Sequence, residues 1–272
     1  MTSTRVEVGG VHIAHDRQGT GPVALLVHGF TGDRTTMHGL ATELAPCRTV
    51  VTVDLVGHGD SGAPEDVALY TMSAAVEQLD AVLDDLAADT IDLVGYSLGG
   101  RVALSFATNR VSRLRTLTLI GASPGLLGEE AAARRAADAE LASELEEHGI
   151  EAFVDRWMAL PMWRSLERRI GPAAWEASRR QRLRGSVTGL ANSLRGMGTG
   201  AMPPLHDRLG SIAVPTLLVV GAEDTKFREI AQLMAARLPA ATLAVIPDAG
   251  HAAHLEQPDL TAAAILGHLG CS

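Results

Sequence analysis

The chain has 272 residues, of which 46% are hydrophobic and only 3% aromatic, with 23 basic and 32 acidic side chains giving a formal net charge of −9. A chain this long buries a sizeable core without staples, and its apolar fraction excludes extended disorder. Its acidity argues against a nucleic-acid partner, because the phosphate backbone repels a net negative protein.

The first elements alternate. Val6, Val8, Val11 and Ile13 flank Gly9-Gly10 in a hairpin pattern. Continuous apolar runs at 23–27 and 49–53 read as strands buried on both faces, ending in His28-Gly29 and Asp54. Helical periodicity at 37–44, 72–86 and 98–108 then alternates with strand-like runs at 91–94 and 114–120. Strand and helix in turn predict right-handed crossovers and an α/β fold with helices on both faces of a mostly parallel sheet. From 124 to 209 the alternation stops, and Ala, Glu and Arg recur with helical spacing. Strands at 216–220 and 242–246 and helices at 230–238 and 260–269 complete the chain. The predicted organisation is a core of residues 1–123 and 210–272 carrying a helical lid, 124–209. Cys47 and Cys271, the only cysteines, stand before a strand and at the penultimate position; they suggest no disulfide and fit a reducing cytoplasm. No run approaches the ~20 apolar residues of a membrane-crossing helix, and residues 1–10 lack a signal peptide's apolar region.

Gly95-Tyr96-Ser97-Leu98-Gly99 lies between a predicted strand and a predicted helix. In that context the serine sits on a tight turn above the sheet edge, a nucleophile elbow. Its hydroxyl requires a base, and the base requires an orienting carboxylate. In this architecture the acid follows a late strand and the histidine follows the last one, which selects Asp224 and His251. Glu223 competes with Asp224, but neighbours on an extended loop point apart. His254 reads as a capping or surface residue. Two backbone amides should form the oxyanion hole: Leu98, after the serine, and Phe30 in His28-Gly29-Phe30-Thr31-Gly32. Asp54 to Gly62 is a glycine-rich turn without the lysine of a P-loop, and it reads as structural. No histidine spacing supplies a zinc site, so no metal is expected.

These motifs resemble the α/β-hydrolase superfamily over essentially the whole chain. A narrower resemblance rests on GYSLGGRVAL (95–104), GASPGL (121–126), RRAADAEL (134–141), FVDRWMALP (153–161), GLANSLRGMGTG (189–200) and DTKF (224–227). Together they look like the 2-succinyl-6-hydroxy-2,4-cyclohexadiene-1-carboxylate synthases, lyases of menaquinone biosynthesis. That resemblance implies elimination of pyruvate, without a cofactor, from a small cyclohexene bearing three carboxylates. It also implies that Tyr96, Arg101, Arg134, Trp157 and Arg182 bind substrate. Met37, Met202 and His206 depart from the Trp, Gln and Trp common in bacterial relatives. Residues 125–209 hold 12 Arg against 12 acidic side chains. Of these, Arg168, Arg169, Arg179 and Arg180 read as salt-bridged surface. Two chemistries stay open: Ser97, activated by His251, acting as a base, or acting as the covalent nucleophile of a carboxylesterase for small acidic esters. A non-catalytic binding protein on the same fold would be expected to lack the serine, acid and histidine.

Overall fold

The computed structural model describes residues 2–271. Eight strands, β1 (Thr2–Val8), β2 (Val11–Gln18), β3 (Val23–Val27), β4 (Thr49–Val53), β5 (Ile91–Tyr96), β6 (Leu114–Ile120), β7 (Thr216–Gly221) and β8 (Ala241–Ile246), form one sheet in the order β1-β2-β4-β3-β5-β6-β7-β8. Only β1–β2 and β2–β4 pair antiparallel; from β4 to β8 every neighbour is parallel. Adjacent residues of the continuous apolar strands serve opposite faces. Leu25 and Val27 pack with Leu79, Val82 and Leu104, whereas Leu26 packs with Leu40, Leu44 and Ile265. Burying each such leucine contributes about 2 kcal/mol.

Helices α1 (His38–Leu44), α2 (Met72–Asp85) and α3 (Leu98–Asn109) lie close to their predicted ranges. Between β6 and β7 the chain forms α4 (Gly128–Met158), α5 (Arg164–Arg182) and α6 (Val187–Met197), with α4 kinked at Gly149 and α5 at Gly171. Leu145, Phe153, Leu190 and Leu194 give these helices a core of their own. The chain ends with α7 (Thr225–Ala235), α8 (Ala253–Glu256) and α9 (Pro258–Leu269). Helix α7 starts earlier than its apolar spacing suggests, because the Asp224 side chain accepts the Phe227 amide and caps it.

One expectation is overturned. Cys47 and Cys271 form a disulfide, with their Cα atoms 6.2 Å apart across 224 positions of sequence. Helix α9 packs beside α1 and brings the chain end to the start of β4, a proximity that only the closed fold creates. A reducing compartment can no longer be inferred from these residues. No helix among the described residues is long and apolar enough to cross a membrane.

The sheet order also places the chemistry. β3 lies between β4 and β5, so successive strands are laid down on its two sides. In open α/β sheets such a switch point opens a crevice at the carboxyl ends of the strands. The loops leaving β3 and β5 therefore face one another, and they carry Phe30 and Ser97.

Candidate active site

Ser97 follows β5 directly and is the N-cap of α3, with φ 51° and ψ −107°. A side chain in that region carries strain on the order of 1–3 kcal/mol, held only where surrounding structure enforces it. Here the enforcement is steric: a Cβ on Gly99 would lie 2.3 Å from the Val27 carbonyl oxygen, so the turn is pressed against β3. The second glycine of the motif permits that approach.

The loops after β7 and β8 bring the other two predicted residues to the serine. Ser97 Oγ donates to His251 Nε2 at 3.1 Å, and His251 Nδ1 donates to Asp224 Oδ2 at 2.8 Å. This network assigns the neutral imidazole its proton at Nδ1, leaving Nε2 free to accept one. The two loops are tied to each other by Ala222 N to Ile246 O and Glu223 N to Ala249 O, both 2.8 Å. Glu223 turns away from the histidine and pairs with Arg168 and Arg169. Arg179 and Arg180 pair with Asp155 and Glu176, so all four arginines read as surface are salt-bridged.

Neither the Phe30 nor the Leu98 amide donates a hydrogen bond among the described residues, as an oxyanion site requires. His28, wholly buried, holds the first loop: it accepts the Leu55 amide at Nε2 and donates from Nδ1 to Gly29 O at 2.8 Å. The turn from Asp54 is structural as expected, since the buried Asp54 carboxylate accepts the Arg34 and Asp60 amides and the Arg34 guanidinium.

A cavity of 620 Å³ opens over Ser97 and His251. Phe30, Tyr96, Arg101, Arg134 and Trp157 all line it. Arg101 donates to the Met197 carbonyl and has no carboxylate partner among the described residues. Burial, helped by repulsion from Arg134, lowers it to about 10. Arg134 pairs with Asp138 at 2.7 Å. The Tyr96 hydroxyl and the indole N–H groups of Trp157 and Trp163 are buried without partners among the described residues, as is the Ser193 hydroxyl. Burial pushes the Tyr96 phenol well above its ordinary value, so it stays protonated. Tyr96, Trp163 and Phe227 ring the histidine, with centroids 5.6, 6.1 and 4.5 Å from His251.

Two residues differ from their sequence reading. Arg182 is not on the cavity wall; it lies behind it, its guanidinium 5.4 Å over the Trp163 ring and bonded to Thr31 Oγ1. His254 is buried rather than exposed, packed 4.4 Å from the Tyr96 ring, and burial lowers it to about 3. The short α8 turns its side chain inward, a direction its spacing from His251 does not reveal. Of the three departures from family pattern, Met37 and Met202 belong to the core and only His206 touches the cavity. Trp163, one of the aromatic residues that the sequence concentrates in the inserted segment, lines the cavity, as does Ser193, for which the sequence holds no signal beyond helical spacing.

The chain belongs to the α/β-hydrolase superfamily: a family model described as the alpha/beta hydrolase fold matches residues 22–258. A Bacillus subtilis (strain 168) protein, named provisionally as 2-succinyl-6-hydroxy-2,4-cyclohexadiene-1-carboxylate synthase, is 37% identical over 91% of this chain and 90% of its own. The Salmonella paratyphi C protein of that name is 32% identical over 87% of this chain and 89% of its own. Among solved structures, MenH from S. aureus superposes with a TM-score of 0.89 at 35% identity, covering 95% of this chain and 97% of that one. Within the superfamily, the chain belongs to this synthase family. An esterase from Thermogutta terrifontis, solved with malate bound, is also similar: TM-score 0.88, 30% identity, covering 99% of this chain and 98% of that one.

Proposed function

We propose that the chain is a carbon–oxygen lyase that eliminates pyruvate from an enolpyruvyl-succinyl-cyclohexene carboxylate, giving 2-succinyl-6-hydroxy-2,4-cyclohexadiene-1-carboxylate. The observation that carries this reading is Arg101, a half-buried cation facing the cavity with no carboxylate partner among the described residues. A buried charge without a counter-ion is costly, and a substrate carboxylate supplies the missing partner through charge-assisted hydrogen bonds. The unpartnered donors of Tyr96, Trp157, Trp163 and Ser193 ask for further acceptor oxygens.

In this mechanism His251 Nε2 takes the Ser97 proton as Ser97 Oγ removes a proton from the ring carbon beside the succinyl carbonyl. The C–H electrons move onto the carbonyl oxygen, where the Phe30 and Leu98 amides stabilise the charge. Collapse of that enolate forms the ring double bond and breaks the C–O bond to the enolpyruvyl group, which leaves and becomes pyruvate on protonation. Asp224 holds His251 in its reactive tautomer and stabilises the imidazolium. Tyr96, Arg101, Arg134 and Trp157 contact substrate directly, and Arg182 acts through Trp163 and Thr31. Segment 124–209 is the lid over this core. The test is purified enzyme incubated with the enolpyruvyl substrate while pyruvate is followed: release is expected, and Ser97→Ala should abolish it. No release at high enzyme concentration overturns the reading.

The strained Ser97 between two free amides also suits an acyl-enzyme, which keeps a carboxylesterase for small acidic esters as the second reading. A burst with an aryl ester would favour it, and negligible esterase activity with pyruvate release favours the lyase.

A further inference from the structure

The carboxylate of Glu256 is wholly buried and makes no contact with the cavity. Its two oxygens accept the Gly250 amide at 2.8 Å and the Ala252 amide at 3.2 Å, the N–H groups of the residues on either side of His251. Among the described residues its ion-pair partner is Arg169, on the inserted helix α5, at 3.7 Å. The same guanidinium bonds Glu223, the residue next to Asp224. The contact between α5 and the histidine loop is close, since a Cβ on Gly250 would lie 2.1 Å from Ser165 Oγ.

We propose that Glu256 is the positioning residue for His251, and that Arg169 latches it to the acid loop from the inserted helix. The proposal rests on Ser97, His251 and Asp224 being the reacting groups. A buried carboxylate is retained at a desolvation cost that a neutral side chain would avoid. Its return is geometric: with the amides of Gly250 and Ala252 both held, the loop is pinned just before and just after His251, and Nδ1 and Nε2 reach Asp224 and Ser97 together. A glutamine keeps one acceptor oxygen but turns an N–H toward the second amide, freeing one of the two peptides. Arg169 links Glu256, which fixes the base, to Glu223, whose amide donates to Ala249 O in the same histidine loop. The acid, the base and the inserted helix thereby hold one geometry.

The test uses the full-length chain and two readouts: steady-state pyruvate release, and the rate at which a fluorophosphonate labels Ser97, which requires no knowledge of the substrate. A displacement of roughly 1 Å at a reacting group costs on the order of 100-fold, so Glu256→Gln is expected to lower kcat at least tenfold, by roughly 10- to 100-fold on that scale, with KM within about twofold. The labelling rate should fall in parallel. Arg169→Met should lower both by about threefold or more, and Arg169→Lys, which keeps the charge, should recover at least about half of that loss. A folded Glu256→Gln protein with kcat and labelling within about twofold of wild type, or a loss borne wholly in KM, overturns the proposal. If Glu256→Gln does not fold, the Arg169 pair decides, that side chain being 18% exposed: unchanged rates overturn the proposal, and a loss recovered by lysine supports it. Wild-type enzyme in which Ser97 resists labelling defeats the reading of the reacting groups and takes this proposal with it.

Discussion

Arg101→Met should make the protein more stable and a worse enzyme. Burial lowers the guanidinium from its ordinary value to about 10, a penalty of about 3 kcal/mol on its charged form in the folded chain. Because the folded value lies below the unfolded one, the penalty is present at every pH below about 10 and is relieved as the pH rises from there toward the ordinary guanidinium value. Access of water to the cavity reduces it to about 2 kcal/mol, and the lost bond to the Met197 carbonyl returns about 1 kcal/mol. Replacement by methionine, which fills similar space without charge, should then stabilise by about 1 kcal/mol, raising the melting temperature by about 2–3 °C for a chain of this size. The same change removes a charge-assisted contact to substrate, so KM should rise about 10- to 100-fold. Thermal unfolding at neutral pH, paired with pyruvate-release kinetics, measures both. A variant that melts several degrees below wild type, or that keeps its KM, refutes the claim that this cation is held for substrate.

Ordinary non-reducing samples should titrate without free thiols, and reduction or Cys47→Ser should lower stability by about 3 kcal/mol, read as a melting shift of roughly 5 °C; two reactive thiols in the untreated protein would contradict the bond. Gly99→Ala should cost more than about 3 kcal/mol or abolish soluble expression, because its Cβ would sit 2.3 Å from a strand carbonyl. Near-normal folding and activity would show that the elbow is not pressed against β3. Asp224→Asn should leave melting nearly unchanged, asparagine capping α7 as well as aspartate does, while lowering kcat by about 10⁴-fold through the wrong histidine tautomer; activity close to wild type would remove Asp224 from the orienting role.

What was legible in the sequence is what short segments decide. The strands at 23–27, 49–53 and 114–120 have the predicted bounds, since strands buried on both faces are rich in apolar and β-branched residues. Ser97 was legible because its glycines, strand and helix are all neighbours in sequence. The remainder depends on what distant segments bring. His254 and Arg182 could be placed only once Tyr96 and Trp163 lay against them. The cysteines meet through the packing of α9 on α1. The start of α7 was hidden because Asp224 was read for its chemistry alone.

That dual use of Asp224 has a consequence for turnover. One oxygen caps α7 and the other bonds His251, so the helix terminus itself holds the carboxylate in its working position. In the proposed mechanism the imidazolium forms beside a carboxylate already in place, and no reorganisation of the acid contributes to the barrier.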